Sequence, residues 1–166
     1  KLASAYHAAY DLPVSHVRAF NAYGPGQAYG AGHPQKILPT FARLAWEGRP
    51  IPIWGDGEQT VDLVHADDGG RMLIDATQHG DDAVFDAGTG ETVTVNEVAR
   101  RVLDTVRGRV NGVTYPAQRV EAMYLPMRIG ETPTVVRAEG EGWDRLDWKP
   151  ELDWDRVADT VLWYKP

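Results

Sequence analysis

A β-type run from Val14 to Phe20 lies between two breakers, Asp11-Leu12-Pro13 before it and Tyr23-Gly24-Pro25-Gly26 after it. Proline at position 13 disfavours helical geometry at Leu12. The helical pattern from Lys1 to Tyr10, with Leu2, Ala5, Tyr6, Ala9 and Tyr10 near one face, therefore has to stop there. On the other side, Asn21 and the glycine-proline turn end the run. Helix, short turn, strand and loop make one step of a parallel sheet. A strand that empties into a loop at its carboxyl end is also where α/β sheets place their ligands. A buried strand followed by an ordinary connection satisfies the same spacing.

A second such run, Ala83 to Ala87, ends in Gly88-Thr89-Gly90 and lies between helical patterns, so the two strands are expected to be parallel neighbours. Between them, Lys36 to Trp46 reads as a helix with Ile37, Leu38, Phe41, Leu44 and Ala45 on one side. Ile51-Pro52-Ile53-Trp54 is extended, and Gly55-Asp56-Gly57 is the strongest hairpin signal in the chain. Val61 to His65 is expected to pair back across that turn, with Asp67 or Asp68 capping a helix through Met72, Leu73 and Ala76.

Thr94-Val95-Asn96-Glu97 fits a capping box opening a helix through Val98, Val102, Leu103 and Val106. Val113 to Tyr115 reads as extended and Pro116 to Arg137 as irregular surface chain. Asp153 is placed to cap a final helix, Trp154 to Tyr164. The fold class is α/β: a parallel sheet, with the Trp54 hairpin and the C-terminal half forming a smaller lobe and no boundary visible between them. Two strands alone cannot bury a sheet.

Composition narrows the chemistry. The hydrophobic and charged fractions, 43% and 25%, are those of a globular chain. A net charge of -7 without any basic cluster argues against nucleic acid as a partner. There is no cysteine, which excludes disulfides and thiolate chemistry. No signal peptide and no membrane-length apolar run is present, so the expectation is a cytoplasmic protein with no membrane partner. The chain opens on Lys1 in mid-pattern, as a fragment, a processed chain or a chosen boundary would.

His7, His16, His33, His65 and His79 are scattered without metal-ligand spacing, so no metal site is expected. Asp67-Asp68 and Asp81-Asp82 suit caps and turns better than acid pairs. Serine occurs only at Ser4 and Ser15, neither in a nucleophile elbow. Gly88-Thr89-Gly90 could begin a phosphate cradle, but no third glycine completes a dinucleotide fingerprint, and a plain strand-to-helix connection serves equally. Arg128 could fork onto a phosphate or form a surface ion pair. Trp54, next to its turn, could stack on a flat ring or pack beneath the hairpin.

Taken in order, these segments resemble the NAD-dependent nucleotide-sugar epimerases and dehydratases, the extended short-chain dehydrogenases/reductases. The likeness rests on Lys1 through Tyr10 and on Arg18-Ala19-Phe20-Asn21-Ala22-Tyr23-Gly24-Pro25-Gly26-Gln27. It continues through Lys36-Ile37-Leu38-Pro39, the run from Pro50 to Thr60, and Asp62-Leu63-Val64-His65-Ala66-Asp67-Asp68. It resumes at Phe85-Asp86-Ala87-Gly88-Thr89-Gly90, Arg128-Ile129-Gly130-Glu131, Leu146-Asp147-Trp148-Lys149-Pro150 and Trp163-Tyr164.

The resemblance implies part of a Rossmann-type sheet plus the smaller α/β substrate-binding lobe. Residues 1–166 would be the C-terminal substrate-binding portion, with the NAD-binding glycine loop and the catalytic tyrosine in an absent N-terminal part. Lys1 resembles the family's catalytic lysine, which follows the tyrosine by one helical turn, holds the nicotinamide ribose and lowers the tyrosine pKa. Phe20 resembles the residue beside the nicotinamide, and Asn21 the one reaching the sugar-nucleotide diphosphate. Lys36, Ile37, Leu38, Pro39, Pro52 and Trp54 resemble the pocket over the base and its ribose, and Arg128 the arginine that grips the diphosphate.

One position departs from the pattern: Val61 stands where the family places a second diphosphate-binding arginine. A charged hydrogen bond of that kind is worth about 1.5–3 kcal/mol, so its loss weakens binding by roughly one or two powers of ten. The function implied is UDP-hexose binding, like that of a UDP-glucose 4-epimerase, with hydride transfer at the sugar C4 in the complete enzyme. The alternatives are a non-catalytic remnant used for binding or assembly and, less in keeping with the pattern, a carbohydrate-binding module using its six tryptophans. Unpaired apolar strand edges predict self-association, as a homodimer, or pairing with the absent half.

Overall fold

The computed structural model describes residues 1–33, 35–108, 120–129 and 139–166. In chain order the first elements are α1 (Leu2–Tyr10), β1 (Val14–Ala19), β2 (Asn21–Tyr23), α2 (Ile37–Trp46) and β3 (Ile51–Trp54). Next come β4 (Thr60–Val61), β5 (Leu63–His65), α3 (Ala66–Ala76), β6 (Asp81–Ala87) and β7 (Val93–Thr94). They are followed by α4 (Val95–Val106), β8 (Ala122–Leu125), α5 (Glu141–Asp144) and α6 (Trp154–Trp163). The chain divides into two compact units, each assembled from separated stretches. No linker separates them because the chain passes repeatedly from one to the other, which is why no boundary shows in the sequence.

The first unit comprises Lys1–Ala22, Asp62–Thr92 and Val136–Leu152. Its centre is the parallel pair β1–β6, in register from Val17↔Phe85 to Ala19↔Ala87. This is the parallel neighbour relation that the two helix-flanked apolar runs predict. Met72 and Ala76 of α3, Phe85 and Ala87 of β6, and Leu146 form its buried cluster, with Val17, Ala83, Trp143 and Trp148 packed around it. Gly142 lets α5 lie on β6: a Cβ there would stand 1.6 Å from the Val84 carbonyl oxygen, closer than any side chain permits. The helix through Met72 is capped by His65, whose ring accepts from the Asp67 N–H at 3.3 Å, and not by either aspartate. Asp67 and Asp68 instead sit in the first turn, where the helix dipole favours negative charge. The apolar face of α1 stays open, for this helix buries none of its residues.

The second unit comprises Tyr23–Val61, Val93–Val135 and Asp153–Pro166. Here α2, α4 and α6 pack on one another. The α4 face of Val95, Val98, Ala99, Val102, Leu103 and Val106 recurs at helical spacing and is buried throughout. Thr94 caps α4 by accepting the Glu97 N–H at 3.1 Å, while the Glu97 carboxylate accepts from Arg100 and Arg101. Asp153 caps α6 through the Asp155 and Arg156 N–H groups.

Two expectations are corrected in this region. Gly55-Asp56-Gly57 is a turn, but not a hairpin: β3 pairs in parallel with β8, β4 pairs antiparallel with β7, and β5 pairs with β2. The Gly55 N–H goes to Leu125 O at 2.8 Å, so the turn leaves along the β8 partner without folding β3 back on its successor. The second correction concerns Pro116 to Arg137, where Ala122–Leu125 is a strand. Its apolar run is too short and too one-sided to show period-two alternation. Val113 to Tyr115, read as extended, lies outside the described residues.

Candidate functional site

Each unit holds one cluster of the residues singled out from the sequence. In the first, β1 hands its backbone from one partner to another. The Phe20 N–H still donates to Ala87 O at 3.1 Å, whereas the Asn21 N–H donates to Asp62 O at 3.1 Å. Phe20 and Asn21 are half-buried, and the Asn21 side-chain amide makes no hydrogen bond among the described residues. An amide with its donors and acceptor uncommitted is suited to a polar ligand group. Lys1 is the N-cap of α1 and exposed, with no ion pair to its ammonium among the described residues.

The sequence offered Gly88-Thr89-Gly90 as a possible phosphate cradle, and the structure assigns those amides elsewhere. Asp62, with no exposed surface, accepts from the Thr89 N–H at 2.7 Å, the Thr89 hydroxyl at 2.8 Å and the Gly90 N–H at 2.9 Å. A carboxylate already occupies the position an anion would take. The connection is structural.

In the second unit, alternation along β3 sends Ile51 and Ile53 inward and leaves Pro52 and Trp54 on the other face. The Arg128 guanidinium lies over the Trp54 ring, 4.6 Å from its centroid. This is within the range of a cation–π contact. Its Nη2 donates to the Gln35 side-chain oxygen at 3.3 Å. Trp54 and Arg128 are thus brought to the segment that opens α2. In that segment Lys36 is exposed and Ile37 half-buried, while Leu38 and Pro39 are buried in the helix core. Gln35 was not singled out from the sequence; nothing in a Pro-Gln-Lys run marks it as the partner of a residue so remote in the chain. Val61 is half-buried and pairs with Val93 in the β4–β7 ladder.

The turn beside Trp54 is held by Asn96, the second missed residue. Its N–H donates to Gly57 O at 3.0 Å, and its side-chain amide donates to Asp56 O at 2.9 Å and to Glu58 at 2.6 Å. Gly57 has a φ of +79° and a Cβ there would meet Asn96 Oδ1 at 2.1 Å, so both backbone angle and space require glycine.

Other side-chain clusters carry less chemistry. Ser4, His16 and Asp82 come together, but the serine, at 3.3 Å, and the aspartate, at 2.8 Å, both contact His16 Nε2. A relay needs the two ring nitrogens to serve different partners, so this is no nucleophilic triad. The hydrogen bond from His16 holds the Asp82 carboxyl below the ordinary aspartate value. A cleft of about 430 Å³ is lined by Arg18, Val84, Glu139 and Arg145 among others. Its two arginines are already paired, Arg18 with Asp86 at 2.6 Å and Arg145 with Asp81 at 2.9 Å. Among the described residues no group of three or more His, Asp or Glu side chains is placed to hold a metal ion. No helix among them is long and apolar enough to cross a membrane.

The family model described as "NAD dependent epimerase/dehydratase family" matches residues 1–88. The chain belongs to this family. Among curated members, a dTDP-glucose 4,6-dehydratase of Streptomyces griseus is 27% identical, over 98% of this chain and 46% of its own length. A UDP-glucuronate 4-epimerase of Thermodesulfobacterium geofontis is 26% identical, over 99% of this chain and 47% of its own. The chain therefore spans about half the length of the curated relatives it matches.

Among solved structures, the UDP-glucose 4-epimerase of Thermotoga maritima with UDP-glucose superposes with a TM-score of 0.81 at 26% identity, covering 98% of this chain and 49% of that one. A dTDP-glucose 4,6-dehydratase of Streptomyces venezuelae with NAD bound gives 0.77 at 29% identity, covering 99% of this chain and 47% of that one. The α/β architecture with its parallel strand pairs is that of these epimerase/dehydratase structures.

Proposed function

We propose that this chain is the substrate-binding portion of a nucleotide-sugar epimerase or dehydratase, acting on a UDP-hexose with hydride transfer at the sugar C4. The observation that carries the reading is the Arg128 guanidinium placed over the Trp54 ring and tied to Gln35. A planar guanidinium is the side chain best matched to a diphosphate, which it binds through paired N–H groups. The outer face of β3, with Pro52 and Trp54, and the exposed start of α2 at Lys36 and Ile37 form the surface assigned to the base and ribose. The likeness to the UDP-glucose-bound epimerase supports UDP-glucose as the first ligand to test.

In the first unit the uncommitted Asn21 amide is assigned to the diphosphate. Lys1, with its exposed ammonium, fits a nicotinamide ribose, and the half-buried Phe20 ring fits a nicotinamide face. The Thr89 and Gly90 amides do not fit the cofactor's phosphates, being occupied by Asp62. When bound, NAD supplies a hydride acceptor. Lys1 then orients the ribose and electrostatically favours deprotonation of a neighbouring acid–base group. We place the protein in the cytoplasm as a homodimer-forming chain. The exposed Leu2, Tyr6 and Tyr10 on α1 support association with a second copy or with the rest of the enzyme.

Val61 favours a second reading, a chain used for binding or assembly without catalysis. Titration calorimetry of the purified chain with UDP-glucose decides: the proposal expects saturable binding that Arg128→Ala weakens at least tenfold. Absence of any binding heat leaves the assembly reading.

A further inference from the structure

The fully buried carboxylate of Asp62 has no part in the chemistry described so far, and its placement is specific. Asp62 lies between Asn21, at the start of β2, and the loop that follows β6, and hydrogen-bonds to both. Through its backbone it receives the Asn21 N–H, and through its side chain it receives two N–H groups and a hydroxyl from Thr89 and Gly90. The Phe20 N–H is meanwhile held by Ala87, the residue that leads into Gly88. The segment bearing Phe20 and Asn21 is therefore pinned on one side by β6 and on the other by the residue that grips the loop after β6.

We infer that Asp62 is a positioning residue that sets the Asn21 amide by bracing its own backbone against the 88–90 loop. The chemistry requires a carboxylate. Charge-assisted hydrogen bonds are the strong ones, and these are short. Two backbone N–H groups and a hydroxyl converge on one buried point, and only an acceptor with two oxygens satisfies all three. A buried charge is tolerated only when it is hydrogen-bonded in this way. An apolar residue at position 62 would orphan the Thr89 and Gly90 amides, and the loop would shift to find water. The shift would carry the Asp62 carbonyl, and with it the fixed point of Asn21. The side-chain amide of Asn21 makes no hydrogen bond among the described residues, so the backbone bond to the Asp62 carbonyl is the hydrogen-bonded anchor from which it reaches.

The inference rests on the assignment of Asn21 to the ligand, and its test separates the two. Asp62→Asn keeps the volume and replaces one acceptor oxygen by a donor. In the full chain, amide exchange at Asn21, Thr89 and Gly90 is expected to accelerate about tenfold or more, with exchange in α4 unchanged. Affinity for UDP-glucose is expected to fall about tenfold. The same substitution in an Asn21→Ala background should cost no further affinity, because the residue it positions is gone.

Unchanged exchange at Asn21, or an equal affinity loss in both backgrounds, overturns the inference and leaves Asp62 a structural brace. If Asp62→Asn does not fold, Thr89→Ala, which removes one of the three hydrogen bonds, takes its place in the same two measurements. A wild-type chain with no affinity for UDP-glucose overturns the functional reading, and exchange at Asn21 alone then decides the role of Asp62.

Discussion

Two glycine-x-glycine turns follow strands in this chain, Gly55-Asp56-Gly57 after β3 and Gly88-Thr89-Gly90 after β6. In each, a glycine takes a positive φ, +77° at both Gly55 and Gly90. Yet their partners differ. The first turn is held by exposed groups: the Asp56 carboxylate accepts the Glu58 N–H at 3.0 Å, and the Asn96 amide reaches in from the start of α4. It leaves Trp54 on an outer face under Arg128. The second turn gives its Thr89 and Gly90 amides to a buried carboxylate. Glycine spacing specifies a backbone shape, whereas the group at the focus of the amides decides whether that shape binds or braces.

The largest expected effect breaks the brace outright. Asp62→Ala leaves the buried Thr89 amide and the half-buried Gly90 amide unpaired, at about 1–3 kcal/mol each, with the lower end for Gly90. Urea denaturation should show a loss of roughly 3 kcal/mol, and a loss under 1 kcal/mol would mean that water replaces the carboxylate. The first turn should be less costly to disturb. Gly57→Ala combines a left-handed backbone with the encroachment on Asn96, and about 2 kcal/mol is expected from the same measurement.

Asn96→Ala sharpens the comparison further. It removes hydrogen bonds between exposed groups, so stability should drop by only about 1 kcal/mol. UDP-glucose affinity should nevertheless fall severalfold as the turn beside Trp54 loosens. An unchanged affinity would detach the turn from the ligand surface.

The smallest effect is in acid. Hydrogen bonding from Arg100 first, and then Arg101, holds the Glu97 carboxyl below its ordinary value. A depressed folded-state pKa means that the stabilising contribution is complete above the unfolded value, near 4.3, and is lost as pH falls through the folded one. Denaturation midpoints measured from pH 6 down to pH 2 should therefore fall less steeply in Glu97→Gln than in the wild type, and by a small margin, since both arginines are solvent-facing.

Much of this was legible beforehand, and the reasons are local. Pro13 had to end α1, the two helix-flanked apolar runs had to be parallel neighbours, and Thr94 and Asp153 had to cap helices. Each of these depends on a few adjacent residues. The Gly55-Asp56-Gly57 hairpin failed because the turn signal was sound but said nothing about which strand would pair with β3. His65 took the place of the expected aspartate caps because the helix begins at Ala66, which puts both aspartates inside its first turn and His65 at the N-cap.

By itself, then, the order of residues determined most of the helices, the parallel pair β1–β6, the Thr94 and Asp153 caps, the α/β class and the family. Hydrophobic periodicity, proline and glycine act over a turn or two of chain. Only the tertiary structure decided that Gln35 meets Arg128, that Asn96 holds the turn beside Trp54, and that Asp62 fills the Gly88-Thr89-Gly90 turn. Those contacts join residues 93, 40 and 27 positions apart. A hydrogen bond is satisfied by whichever group packing delivers within 3 Å, and no local pattern encodes which group that will be.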